Sequence, residues 1–191
     1  MSPQAAKKVR LSIDDYLAGE RDAETRHEYL DGEVYAMSGA SRRHALIVTA
    51  MTIALGPLAR QRRCQLFTSD MKLRLEIAGA TFFYYPDLMI ACDPQDSDPY
   101  YLTSPCLVAE VLSPGTERID RREKLLSYIS LPSVQEVLLV AQDQPLLELH
   151  RRANGWKAEY RDQGSLHLDC LDAELAVEQA YADAEWGQVQ A

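Results

Sequence analysis

Cysteine is scarce: Cys64, Cys92, Cys106 and Cys170 are the whole complement, and no two of them stand in a C-x-x-C arrangement. That spacing argues against a local zinc chelate and offers no disulfide framework, and Cys92 and Cys106 lie in apolar runs where thiols behave as small hydrophobes. Neither a disulfide nor a zinc site is expected. Long hydrophobic runs are also missing, since nothing approaches the ~20 apolar residues needed to span a bilayer. The opening MSPQAAKKVRLSIDDYL lacks the apolar centre of an export signal. A cytoplasmic protein without membrane association is the expectation. Nor is there an excess of positive charge: the net charge is −9, which argues against a broad surface for nucleic acid, because neutralised phosphates supply most non-specific affinity. The cations are instead gathered in KKVR, SRRH, ARQRR, DRREK and HRR, each of which alone reads as a solvated face. No internal repeat or low-complexity segment is present, and the turn Ser113-Pro114-Gly115-Thr116 lacks the Gly-x-x-x-x-Gly-Lys pattern of a phosphate loop.

What is there suits one soluble domain over 1–191, with a core of about 10–170 and a tail of 172–191: the chain has 191 residues, 47% hydrophobic and 26% charged. Ser12, with Asp15 three residues on, marks the start of a short helix over 13–17 that Gly19 ends. Asp31-Gly32 between runs carrying Tyr29, Val34 and Tyr35 signals a hairpin, flanked by Glu28 and Glu33. Apolar positions at His44, Ile47, Val48, Met51, Leu55 and Leu58 predict an amphipathic helix over 41–63, kinked or split at Gly56-Pro57. QLFTSDMKLRLEI alternates as one half-buried strand, with Asp70 on its polar face. DLMIAC and CLVAEVL are nearly continuous apolar runs, the mark of central strands covered on both faces. A surface loop joins them. A helix is predicted from Asp120, with Glu123 completing its capping box, until Pro132 stops it. Four short strands follow in VQEVLLVA, LLELHRR, GWKAEYRD and SLHLDC, and the Ala- and Glu-rich tail reads as helical or frayed.

Two acids interrupt this pattern. Asp87 heads one central strand and Glu110 sits inside the other, and removing an ionised carboxylate from water costs several kcal/mol unless something compensates. If the strands are neighbours the two carboxylates can converge, and such hard oxygen ligands suit Mg²⁺ or Mn²⁺ rather than zinc. Lys124, one helical turn after Asp120, can point its ammonium back toward the end of the Glu110 strand. Each residue also has a plainer role: Asp87 as a turn residue after Pro86, Glu110 in a buried pair with an arginine, Lys124 as a solvent-facing partner of Asp120, Glu28 as a surface acid. Asp120 reads as a cap rather than a ligand. His44 reads as a packed core histidine and His27 as structural. His150 and His167 are assigned nothing, for want of an acidic or cysteine partner at ligand spacing.

YPDLMIACD, CLVAEVLSPGTERIDRREKLLSYISLPSVQEVLLV and the upstream RHEYLDGEVYAMSGASRRH together resemble the Uma-type restriction endonucleases (DUF820), a family of the PD-(D/E)xK nuclease superfamily. The resemblance covers about residues 10–150 and rests on the motifs in order rather than on any one of them. It implies an α/β fold, a restriction-endonuclease-like core with a mixed central β-sheet flanked by helices. It further implies a metal-dependent endonuclease acting on DNA, in which Asp87 and Glu110 bind Mg²⁺ or Mn²⁺ and the product carries a 5′-phosphate. The superfamily places a lysine two residues after the second acid, where this chain has Leu112. Lys124 matches the lysine that the family carries on the following helix, and Glu28 matches its upstream acid. A homodimer is expected because cutting both strands of a duplex is served by two-fold symmetry. Two other readings stand beside this one. A catalytically silent nuclease-fold module, binding nucleic acid or regulating, would suit Leu112 and the acidic charge. A sugar hydrolase would hold its acids ~5–9 Å apart across an open cleft without metal.

Overall fold

Ser12 starts the first helix as its position predicts, its Oγ accepting the Asp15 N–H at 3.1 Å. The computed structural model describes residues 10–113 and 123–184; the expected cap at Asp120, the turn over 114–116 and the end of the tail lie outside them. Helix α1 (Ile13–Arg21) continues through Gly19 rather than ending there. A glycine costs about 1 kcal/mol in a helix, and packing outweighs it. Tyr16 is buried with its ring 5.0 Å from that of Tyr29 and 5.4 Å from Phe83, and Glu20 in the last turn accepts both the His27 N–H at 2.7 Å and the Tyr85 hydroxyl at 2.9 Å.

Strands β1 (His27–Leu30) and β2 (Glu33–Ala36) form the expected hairpin. Asp31 and Gly32 both take positive φ, 48° and 95°, as a tight turn matched to strand twist requires. Helix α2 (Arg42–Gln61) is capped by Ser41 and is not split at Gly56-Pro57. The carbonyl that loses its donor to Pro57 belongs to Ile53, which lies on the exposed face of the helix at 66% exposure, where a missing intrahelical bond costs little. The single strand predicted over 65–77 is two: β3 (Gln65–Thr68) and β4 (Lys72–Ile77) are separated by a turn in which the Met71 N–H reaches Thr68 O, and they join different sheets. Alternation persists across such a turn because it records facing, not continuity. β5 (Ala80–Tyr84), to which the sequence pattern assigned nothing, pairs with β4 across Ala78-Gly79.

β6 (Leu88–Ala91), the short β7 (Tyr101–Leu102) and β8 (Leu107–Leu112) follow. Then come α3 (Leu125–Ser130), β9 (Glu136–Ala141), β10 (Leu147–Arg151), β11 (Ala158–Arg161) and β12 (Ser165–Leu168). Part of the tail is strand rather than helix: β13 (Ala173–Ala176) pairs with β12 and leads into one helical turn, α4 (Val177–Ala180). Leu175 fixes this by burying its side chain in the core.

Six strands form the central sheet in the order β11-β10-β9-β8-β6-β3, mixed because β8 and β9 are parallel while the other pairs are antiparallel. A second sheet has the order β2-β1-β5-β4-β7. One face of β6 and β8, with Leu88, Ile90, Leu107, Ala109 and Val111, packs on α2 and the β12-β13 unit. The other, with Met89, Val108 and Leu112, packs on the second sheet and α3. Burial on both faces explains their unbroken apolar runs, and the chain has the α/β class that the sequence implies.

Two features tie the periphery down. Glu136 is fully buried and accepts the N–H groups of Asp169 and Cys170, each at 3.0 Å, with Arg151 3.4 Å away. Burial pushes its carboxyl above the ordinary range, against the pull of those two donors. The folded chain therefore keeps a proton that the unfolded chain has lost above about pH 4.5, so stability falls as pH rises through that window. Urea midpoints across mildly acidic pH should fall less steeply for Glu136→Gln than for the wild type; equal slopes would assign the fall elsewhere. The second feature corrects an expectation: the cysteines are paired, Cys64 with Cys92 and Cys106 with Cys170. The β3-β6 register sets Gln65 opposite Ala91, so the flanking Cys64 and Cys92 fall opposite each other, a juxtaposition that spacing along the chain does not convey.

Candidate active site

Leu88 of β6 lies opposite Ala109 of β8, so the residue before Leu88 meets the residues just after Ala109. Asp87 uses this position: its Oδ2 accepts the Val111 N–H at 2.8 Å, prolonging the strand pairing through a side chain. The same oxygen lies 3.0 Å from His44 Nε2, near the start of α2. His44 is thus not a merely packed core histidine. The apolar periodicity of α2 places it inward, but that the residue met there is an acid follows only from α2 crossing the head of β6.

Glu110 is 4% exposed and occupies the face of β8 shared with Val108 and Leu112. Two groups from the α3 side reach it. The Tyr128 hydroxyl donates to Oε1 at 2.5 Å, and Lys124 Nζ lies 3.6 Å from the same oxygen, an ion-pair distance. Lys124, immediately before α3, is 8% exposed. Its ammonium lies 2.7 Å from Glu28 Oε1, on β1, and 5.5 Å from the centre of the Tyr84 ring. Lys124 is therefore not a solvent-facing helix lysine, and the cation that meets Glu110 is a lysine rather than an arginine. Tyr128 was not among the sequence candidates, although it stands one helical turn after Lys124 and so on the same face. Leu112, at the usual lysine position of the superfamily pattern, is 5% exposed and packs in the core beside Tyr128.

Glu28, Glu110 and Lys124 thus meet directly, while Asp87 is anchored to the backbone one residue beyond Glu110. Asp70 is not part of this group: its side chain is 76% exposed and pairs with Arg26. His27 is held by Glu20, Nδ1 to Oε2 3.2 Å. His150 and His167 do have acidic partners, contrary to expectation. Glu148, two residues earlier on the same face of β10, lies 2.8 Å from His150 Nε2, and Glu174 lies 3.1 Å from His167 Nδ1 across the β12-β13 pair. Glu148 is opposite Leu139, which is opposite Glu110, so the His150–Glu148 pair shares the face of the central sheet that carries Glu110, two strands away.

As a cation site the acids offer hard oxygens. Mg²⁺ typically takes one or two carboxylates and completes its shell with water and substrate oxygens, so Asp87 and Glu110 suffice in kind. Among the described residues, the group of three His, Cys, Asp or Glu ligand atoms within 4.8 Å of one another lies elsewhere, at Cys92, Cys106 and Cys170. A metal here would accordingly lean on two carboxylates and on non-protein oxygens. The SRRH cluster sits at the first turn of α2, where Arg42 is exposed and Arg43 partly so, beside the histidine that meets Asp87.

Comparison with known proteins bears on what such an arrangement serves. The sequence profile of the family described as "Uma2: Putative restriction endonuclease" matches residues 13–183. The uncharacterized protein slr1290 of Synechocystis sp. is 34% identical over 176 residues, covering 90% of this chain and 92% of its own. A second Synechocystis protein, the uncharacterized sll1609, is 35% identical over 135 residues, 69% of this chain and 75% of that one. Among solved structures, a putative nuclease belonging to DUF820 from Anabaena variabilis superposes with a TM-score of 0.71 at 14% identity, over 90% of this chain and 98% of that one; it shares the fold. No helix among the described residues is long and apolar enough to cross a membrane.

Proposed function

Because the chain belongs to the Uma2 family of restriction endonucleases, we propose that it is a divalent-metal-dependent endonuclease hydrolysing phosphodiester bonds in DNA. The observation that carries this reading is the meeting of Lys124 with Glu28 and Glu110, beside the strand head where Asp87 is docked. Asp87 and Glu110 would hold Mg²⁺ or Mn²⁺, which when bound supplies a water of lowered pKa and polarises a phosphoryl oxygen. The chain's own residues do the rest. Lys124 places a positive charge where the phosphoryl group accumulates negative charge. Glu28 steadies that ammonium from the other side. Tyr128 fixes one oxygen of Glu110, and His44 with the Val111 N–H fixes one oxygen of Asp87, which orients the two carboxylates. Arg42 and Arg43 supply local positive charge for the DNA backbone on a chain whose net charge is −9. A homodimer would present two such sites to the two strands.

The silent-module reading drew on Leu112 and on the acidic net charge; against the first of these, Lys124 brings an ammonium to Glu110 from another element. Glu28 and Glu110 share one ammonium and so are unlike the open acid pair of a sugar hydrolase. The test is calorimetric titration of Mn²⁺ into the protein, followed by incubation with supercoiled plasmid in the presence and absence of a chelator. Binding with chelator-sensitive nicking is expected. Binding without nicking would favour the silent module, and no binding would make the carboxylates structural.

A further inference from the structure

All four cysteines of the chain converge at one place, at the opposite end of β6 from Asp87. Cys64 lies between α2 and β3, Cys92 follows β6, Cys106 precedes β8 and Cys170 sits in the β12-β13 turn. Cys64 is bonded to Cys92 and Cys106 to Cys170. The two pairs also touch each other, with Cys92 Sγ 3.5 Å from Cys106 Sγ, and the sulfurs of Cys92, Cys106 and Cys170 lie within 4.8 Å of one another. Two independent disulfides have no need to pack sulfur against sulfur. One soft cation does need it: at Zn–S of about 2.3 Å, a tetrahedral set of thiolates has its sulfurs roughly 3.8 Å apart. We propose that the four cysteines, when reduced, form a single tetrathiolate site for Zn²⁺.

The backbone around the cluster is pinned in a way that suits a prepared site. The Cys106 N–H donates to Ile90 O at 2.8 Å and its carbonyl accepts from Gln135 at 2.8 Å. The Cys170 N–H donates to the buried Glu136, and the Cys64 N–H to Ala59 O at 2.9 Å. Cys64 and Cys106 are buried while Cys92 is exposed, so a cation enters from the Cys92 side. Positive charge offsets the thiolates. Arg62 and Arg63 immediately precede Cys64, and the Arg62 guanidinium bonds the O of Leu171, the residue after Cys170, at 2.8 Å and pairs with Asp172. Soft sulfur ligands prefer zinc, whereas the carboxylates at the other end of β6 prefer Mg²⁺ or Mn²⁺. Five residues at roughly 3.3 Å each put about 16 Å between Asp87 and Cys92, so the two centres are separate.

The chemistry balances with a dithiol reductant. Two equivalents of the dithiol open both disulfides, giving four protein thiols and two oxidised dithiols. One Zn²⁺ then replaces the four thiol protons, leaving a tetrathiolate centre of charge −2 and releasing four protons. The oxidised and metal-loaded forms are thus alternative states of the same four sulfurs.

Cobalt titration of the full-length, reduced protein tests this under anaerobic conditions. The expected result is a sulfur-to-cobalt charge-transfer band with tetrahedral ligand-field bands, saturating at one equivalent and displaced by Zn²⁺. Oxygen-ligated cobalt at the carboxylate site lacks the charge-transfer band, so the reading holds or falls independently of nuclease activity. Cys170→Ser should weaken binding by more than about 100-fold, the upper range for losing a group that merely supports a ligand. Cys92→Ser, at an exposed position, should do the same in a variant whose core is untouched. Absence of the band from the reduced wild type, or its survival in both variants, would overturn the proposal.

Discussion

Glu110→Ala is expected to reduce metal-dependent nicking by at least about 10³-fold, the scale on which a preorganised electrostatic group acts in a transition state. It removes one of the two carboxylates proposed to hold the cation. It also removes the carboxylate that the fully buried Tyr128 hydroxyl reaches at 2.5 Å, and a hydrogen bond to a charged group contributes about 1.5–3 kcal/mol. Lower activity in the alanine variant could therefore follow from a weakened fold. Glu110→Gln separates the two effects. The amide oxygen still accepts from Tyr128 and fills the same space, but its negative charge is gone. Nicking should be lost in both variants, while the urea midpoint should fall clearly only in the alanine variant. A glutamine variant that nicks at the wild-type rate would remove Glu110 from the metal.

Lys124→Ala acts in the opposite sense on the same acids. It leaves Glu28 and Glu110 facing one another with their shared ammonium gone, and breaking a buried pair by deleting one partner typically costs about 3–5 kcal/mol. A divalent cation can fill that deficit. The variant, unstable without metal, should recover with Mn²⁺ by about 2.7 kcal/mol at one hundred times the dissociation constant. The wild type should respond less, because its own ammonium competes for Glu110. Nicking should stay low in the variant even where Mn²⁺ restores the fold, since the charge offered to the phosphoryl group is absent. Urea denaturation of both proteins with and without Mn²⁺ measures the difference, and an identical metal response would place the ion away from Lys124.

Much of the frame behind these expectations was legible in the residues. The runs around Met89 and Val108 marked central strands because burial on both faces abolishes alternation, and Asp31-Gly32 named its own turn. Glu110 stood out because a charge inside such a run needs an explanation. Contacts between elements were less accessible. Periodicity turned His44 inward but could not say that Asp87 waits there, and nothing along the chain announced that Tyr128 would bond Glu110. The break between β3 and β4 left the alternation of Phe67, Met71 and Leu73 intact, so two strands read as one. The cysteines misled for a related reason: spacing rules recognise ligands that are close in sequence, and these meet at the ends of strands and turns 28 and 64 residues apart.

Placing the lysine just before α3 rather than at position 112 has a consequence, on the proposed reading, for how activity would be lost. A lysine on the acid's own strand would be as durable as the sheet, since removing it would mean unzipping β8 from its neighbours. Here the acids belong to strands and the ammonium to the start of a six-residue helix. Undocking that helix would withdraw the positive charge without breaking any backbone pairing of β8 with β6 or β9. On the proposed reading, activity would then be lost with the docking of α3, ahead of any opening of the β8 ladder, and assays of activity and of global stability would separate.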